Sequence, residues 1–422
     1  MLENFANEFP DHEPRPAGAP HPLQGLRVVD FSHFIAGPLA TMILADMGAE
    51  VIKIEAPGRG DDLRRYPPPH PQLDQGAPFV WCNRNKKSVA LNLKSAEGLA
   101  LARELIAKAD VLVENFSSGV MDRLGLGHES CLAANPRLVY CSVAAYSRNG
   151  AFADRLGFDP IAQAESGFVA MNGYPDREGV RALSPVMDIS TAMMTGNAVM
   201  GALLARERTG RGQRVEVSLF DTAALMTGYA SMQTLFTGQD PQRSGNTSPD
   251  TCPSGAFRAK DRTFYINSGN DNIFQRLMTQ VLERPDLAAD PGYASGPLRI
   301  RNRERLFAVL DEAFIREDWA HWQARMRAAG VPCGLIRTVG EALRSPEARD
   351  HRLVTRIPHP ILGWVPNLRL PINYDATPIA DPVAAPAVGQ HTREVLGRAL
   401  NLSDARLDAL AEQGAFGAAK NA

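Results

Sequence analysis

Cysteine is sparse in this sequence and has no pairing pattern. Cys82, Cys131, Cys141, Cys252 and Cys333 are scattered, odd in number and without CxxC spacing. That argues against a disulfide framework and a thiolate zinc site, and predicts reduced thiols in a cytoplasmic protein. Long apolar runs are also rare. Residues 189–205 form the one uncharged stretch of that kind, and small residues, Thr and Asn interrupt it too often for a membrane span. Neither sign of charge dominates. Against 45 Lys and Arg stand 47 Asp and Glu, a net charge of −2 with no long run of either. Nucleic acid and membrane surfaces are therefore not expected as partners. Internal repeats and low-complexity segments are missing. The acidic, Pro-bearing start, MLENFANEFPDHEPRP, fits neither a secretory signal nor a transit peptide.

What is present suits a globular α/β protein. The 422 residues are 44% hydrophobic and 22% charged, enough for two cores. Residues 1–24 read as a loosely ordered arm. Residues 26–31 form a short apolar strand, Ala36-Gly37-Pro38 opens a helix that runs to Gly48, and residues 50–55 form a second strand. Strands are predicted again at 88–93, 111–115, 138–143 and 214–219, with helices such as 96–109 between most of them. Strands alternating with helices predict an open, Rossmann-like parallel sheet over residues 25–221. Residues 222–237 read as one long helix within a linker, 222–239. A smaller α+β domain is expected over 240–335, and residues 336–422 return to the large domain.

Several catalytic signatures are missing. The turn from Ser32 to Pro38 has one glycine and no GxGxxG, although Glu55 ends the second strand where a ribose-binding acid would stand. An NAD-dependent dehydrogenase is therefore only the alternative reading. No Walker A, GxSxG or HExxH motif occurs. His33, at the first strand-to-helix turn, is either a general base or a structural residue of that turn.

The stretch from Ser184 to Arg208 is unusual. Asp188 is its one acid, and no further charge appears until Arg206. Pro185 breaks any arriving helix, so Asp188 is expected at the N-cap of the next one. Ala192, Gly196, Ala198, Ala202 and Ala205 predict a buried helix closely approached by another backbone. The helix N-terminus would let Asp188 stay ionised without a cation. On local sequence alone, the ordinary role of such an Asp is capping. Loop cations add a second signal. Arg59, Arg64, Arg65, Arg84, Lys86, Lys87, Lys94 and Arg123 flank predicted strands, where a ligand with several phosphates would gather cations.

Taken in order, GLRVVDFSHFIAGPLATMILADMGAEVIKIEAPGRGDDLR, NRNKKSVALNLKSAEG, ADVLVENFSSGVMDRLGLG, NPRLVYCSVAAY, SPVMD and TGRGQRVEVSLFD resemble the class III coenzyme A transferases. That family includes formyl-CoA transferase, carnitine CoA-transferase and the alpha-methylacyl-CoA racemases. The resemblance runs from about residue 24 to the C-terminus. It implies that Asp188 is the nucleophile and that an acyl-CoA and a small carboxylic acid are the substrates, with no permanently bound cofactor. It also implies an interlocked homodimer. The positions that hold CoA in formyl-CoA transferase fall here on Ile35, Ala36, Leu91, Asn92, Leu93, Lys94, Asn115, Phe116, Ser117, Arg123, Leu156, Phe158 and Asp159. Ile35 and Ala56 replace the family's Gln and Arg, so Arg59 is the substitute phosphate contact. The family's GGGGQ loop has no counterpart, and residues 246–255 occupy its place. The racemases' proton-carrying His falls on Phe158, which cannot exchange a proton. Transferase is therefore favoured over racemase and over a non-catalytic CoA-binding protein. Succinyl-CoA is the expected donor and a small dicarboxylic acid the expected acceptor.

Overall fold

A computed structural model of the chain describes residues 8–68, 70, 72–73 and 75–417. Parts of the expected arm (1–7) and of the return segment (418–422) lie outside the described residues. The chain divides into two units. One comprises Met1–Phe168, Ala182–Met232 and Pro346–Ala422; the other comprises Val169–Arg181 and Gln233–Ser345.

In the first unit six strands form a parallel sheet: β1 (Arg27–Asp30), β2 (Glu50–Glu55), β3 (Lys86–Ala90), β4 (Val111–Glu114), β5 (Val139–Ala144) and β6 (Arg214–Ser218). Their order is β3-β2-β1-β4-β5-β6, so the winding reverses between β1 and β4. Side chains alternate across a strand. Val29, Ile52, Val89 and Leu112 face one core, with Leu101, Leu105, Val395 and Leu396 from covering helices. Val28, Val51, Val111 and Val139 face the other, against Leu44, Val199, Ala202 and Leu203. Helices thus cover both faces, as a parallel sheet requires.

The helix Val186–Thr209 packs on the helix Ala36–Asp46. It stops at Gly210, whose φ of 73° lets its N–H close on the Arg206 carbonyl. The expected burial holds for one face only. Ala192 and Ala202 are buried, whereas Met193, Met194 and Leu204 are 55%, 39% and 58% exposed. Among the described residues, no atom outside its own helix lies within 4 Å of the place a Gly196 Cβ would occupy. The helix expected over 222–237 is also two helices, Leu219–Met226 and Tyr229–Thr237. Gly228, at φ 63°, breaks it.

The described part of the arm is tied down. Asp11 bridges to Arg356, and Asp381 accepts from His12 Nε2 and the Arg15 N–H, both at 2.9 Å. Arg356 lies on β10 (Val354–His359), which pairs with β11 (Gly363–Leu368). In the second unit, β7 (Ser254–Arg258), β8 (Thr263–Asn267) and β9 (Cys333–Leu335) form an antiparallel sheet. Its core holds Phe257, Phe264, Phe314, Trp319 and Trp322. All five cysteines are free thiols. No helix among the described residues is long and apolar enough to cross a membrane.

Candidate active site

In a parallel sheet all the strands present their carboxyl ends on one edge, where ligands bind. The loops after β1, β2, β3, β4 and β5 carry Ile35 and Ala36, Arg59, Leu91 to Lys94, Asn115 to Ser117, and Leu156 to Asp159 respectively. Cross-links hold these loops. The Asn115 amide accepts from the His33 N–H and donates to the His33 carbonyl, both at 2.8 Å. The His33 and Phe116 rings lie 5.1 Å apart. Asn92 donates to the Gly414 carbonyl, and its own N–H bonds the Ala415 carbonyl. Leu91 is buried in the core, so only its backbone is available.

The first turn is strained. Phe34 sits at φ 62°, a region non-glycine residues avoid. Its N–H donates to Asp61 Oδ1 at 3.2 Å. Lys53, wholly buried, holds Asp61 Oδ2 at 2.9 Å and the Ser32 carbonyl at 2.8 Å. Around this pair lie two more buried ion pairs, Glu55 with Arg64 at 2.6 Å and Asp30 with Lys86 at 3.0 Å. Burial opposes every one of these charges. The attraction of Lys86 and Lys53 still holds Asp30 well below the carboxylate range, and at Asp61 the charges of Lys53 and His33 together with the Leu63 N–H outweigh burial and lower the carboxyl. Arg64, supported by Lys53, does the same for Glu55.

These contacts revise the cation cluster read from the sequence. Arg64, Lys86 and Arg84 are buried partners of Glu55, Asp30 and Asp46 and cannot reach a ligand phosphate. Arg59 and Arg65 share Asp62 at the surface, and Lys87 pairs with Glu394. Among the described residues, Lys94 and Arg123 are the exposed members of that cluster with no ion pair. Glu55 is likewise fully committed. It accepts from Arg64, from the Ser88 hydroxyl and from the Asp61 N–H, so it has no free oxygen for a ribose.

Asp188 does not cap its helix. The N-cap is Pro185, which has no side-chain acceptor, and Asp188 is the third residue of the first turn. The cap comes from another element. Asp159, the first residue of the helix Asp159–Glu165 and 4% exposed, accepts through Oδ2 from the N–H of Met187 at 2.7 Å and of Asp188 at 3.2 Å. Its Oδ1 accepts from the buried Gln163 at 2.5 Å. The first-turn N–H groups are therefore spent on a second carboxylate rather than on Asp188. Burial, and then the charge of Asp159, push the Asp188 carboxyl up to about 7. The expectation that the helix end alone keeps it ionised is thus corrected. Asp188 is half-buried, so it is both accessible and poorly solvated.

The residue before Asp159 is Phe158, 60% exposed, with its ring edge-on to Phe34 at 5.7 Å. Phe34 in turn meets Tyr66 at 6.1 Å. Asp188, Asp159, Phe158 and the strained turn thus form one connected site. Asp159 is named by the sequence only as a ligand contact. The clue to its capping role is Pro185, which leaves the helix start without a local acceptor. The buried pairs around Lys53 left no pattern in the sequence.

The chain matches the model of CoA-transferase family III over residues 23–392. It is similar to acetyl-CoA:oxalate CoA-transferase of Acetobacter aceti, at 39% identity over 82% of this chain and 88% of the relative. It is also similar to succinyl-CoA:glutarate CoA-transferase of Mus musculus, at 33% identity over 92% of this chain and 89% of the relative. Among solved structures, a CAIB/BAIF family protein from Brucella suis has a TM-score of 0.81 at 34% identity, covering 90% of this chain and 100% of that one. With its parallel sheet, its committed Glu55 and a family match across most of its length, this chain belongs to CoA-transferase family III, the class III CoA-transferases.

Proposed function

We propose that the protein moves CoA from an acyl-CoA such as succinyl-CoA to a small dicarboxylic acid, with Asp188 as the covalent nucleophile. The observation that carries this reading is the placement of Asp188: a half-buried carboxyl with no cationic partner among the described residues, raised by burial and by Asp159 to about 7. A carboxylate that basic is a better nucleophile than an ordinary aspartate. Oxalate and glutarate, the acceptors named for the two relatives above, support a dicarboxylate acceptor.

The ionised Asp188 attacks the thioester carbonyl. The C–S bond breaks, giving a mixed anhydride and CoA thiolate. The thiolate attacks the Asp188 carbonyl, forming an aspartyl-CoA thioester and releasing the donor acid as its carboxylate. The acceptor carboxylate then attacks this thioester, and the thiolate returns to the acceptor's acyl carbon. Asp188 is regenerated without net proton or electron transfer. In this reading the loops carrying Ile35, Ala36, Asn92, Asn115, Ser117 and Leu156 enclose the CoA, and Lys94 and Arg123 meet its phosphates. Phe158 walls the acyl group and carries no exchangeable proton, which disfavours racemisation. Two chains interlock as a homodimer, and the exposed Met193, Met194 and Leu204 are apolar surface that an assembly would cover.

The test is direct. The protein is incubated with acetyl-CoA or succinyl-CoA and a panel of acids, and new thioesters are sought by mass spectrometry. Hydroxylamine added after the donor converts Asp188 to a hydroxamate in the peptide map. Label at another residue, or label without acyl-CoA, refutes the assignment.

A further inference from the structure

We infer that Asp159 is a positioning residue of the transfer reaction, not a CoA contact: it seats the nucleophile's helix and keeps Asp188 reactive by placing a second negative charge beside it. The inference rests on Asp188 being the nucleophile.

The geometry carries it. The helix that presents Asp188 begins at a proline, so its start has no local side-chain acceptor. Asp159 supplies one from 28 and 29 residues upstream, with a single oxygen bridging the N–H groups of Met187 and Asp188. Its other oxygen is held by Gln163, which is fully buried. Gln163 is itself clamped, because its carbonyl oxygen accepts the Ala182 N–H at 2.8 Å. Both oxygens of Asp159 face protein donors, and the residue is 4% exposed, so little of it is open to a ligand. Three donors, the N–H groups of Met187 and Asp188 and the Gln163 amide, thus hold the Asp159 carboxylate in place.

The arrangement has a chemical consequence. A helix N-terminus normally stabilises a carboxylate and lowers its basicity. Here the N–H groups that would do so are neutralised by Asp159. Among the described residues, Asp159 is the charged group that acts on Asp188, and like charge disfavours ionisation of the second carboxyl. The site thus trades the population of the ionised form below neutrality for the basicity of that form.

The test compares wild type with Asp159→Asn and Asp159→Ser. Both replacements still cap helices and neither carries charge. The pH dependence of kcat/KM is measured with one donor and one acceptor common to all three proteins, so substrate ionisation cancels. Wild type should lose activity as pH falls through about 7. In a folded variant this acid limb should move down by about one unit or more. At a pH one unit below the wild-type limb, a variant should then keep several-fold more of its own plateau than wild type does, while the plateau itself falls. A limb that stays in place, in a folded variant still labelled at Asp188 by hydroxylamine, overturns the inference and leaves Asp159 as a cap only. Failure to label Asp188 in wild type would instead sink the nucleophile reading. If neither variant folds, carboxyl-13C NMR of Asp-labelled wild type, assigned with Asp188→Asn, reads the titration of Asp188 directly. A midpoint near the ordinary aspartate value of about 4 overturns the inference.

Discussion

A carboxyl raised to about 7 should leave a mark on stability as well as on chemistry. The folded state holds the Asp188 proton more tightly than the unfolded state does. Between about pH 4 and 7 the native protein therefore binds more protons, and its stability falls as pH rises through that window. Replacing Asp188 with Asn removes the penalty. Asp188→Asn is expected to stabilise the fold above pH 7 by on the order of 2 kcal/mol, after allowing for partial exposure, and to be neutral below pH 4. Urea melts at pH 8 and pH 4 check this. The same variant should lose transfer by several orders of magnitude, because the amide cannot form the anhydride. If Asp188→Asn is unchanged in stability at pH 8 and keeps near-full activity, both readings of Asp188 fail together.

At the scale of elements, the site rests on the buried pairs beneath the β1 and β2 loops. Removing one partner of such a pair leaves a charge in the core, which costs far more than the pair itself contributes. Asp61→Asn keeps the shape but leaves Lys53 without its anion and weakens the acceptor that holds the left-handed Phe34. A loss of about 3 kcal/mol or more is expected, read by chemical denaturation. The lowered carboxyls of Asp61 and Glu55 give the sign of the pH effect. Their stabilisation is complete above the unfolded carboxylate range, about pH 4, and is lost as pH falls through their folded values. The loops above are a separate matter. Lys94→Ala and Arg123→Ala should each raise KM for acyl-CoA about tenfold with kcat little changed, since a phosphate contact remote from the thioester binds ground and transition states alike. A drop in kcat at unchanged KM would remove both residues from the CoA site.

For the whole molecule, the proposed interlocked dimer makes a kinetic claim rather than an energetic one. Linked chains cannot separate without opening a unit. Differently tagged dimers, mixed at native pH, should therefore exchange subunits no faster than the protein unfolds. Native mass spectrometry follows the mixed species. Heterodimers formed within minutes would show a side-by-side dimer with one self-complementary patch instead.

Local pattern was enough for the parallel sheet, because alternating apolar strands with short helices between them admit few other architectures. It was also enough to single out Asp188, the lone acid in a small-residue stretch, and the loops that share its edge of the sheet. Strand ends shifted most at β3, expected over 88–93 and found at Lys86–Ala90, because hydrogen-bond register and not hydropathy sets the boundary. What the sequence could not decide was the partner of each charge. Arg64, Arg84 and Lys86 read as loop cations like Lys94 and Arg123, and only long-range packing buries the first three against Glu55, Asp46 and Asp30. Asp188 read as a cap because a helix start needs an acceptor, and nothing local shows that Asp159 already supplies it. Residue types and spacing determined which groups could react. The tertiary structure decided which remain free to do so, because burial and pairing depend on what the fold brings together from afar.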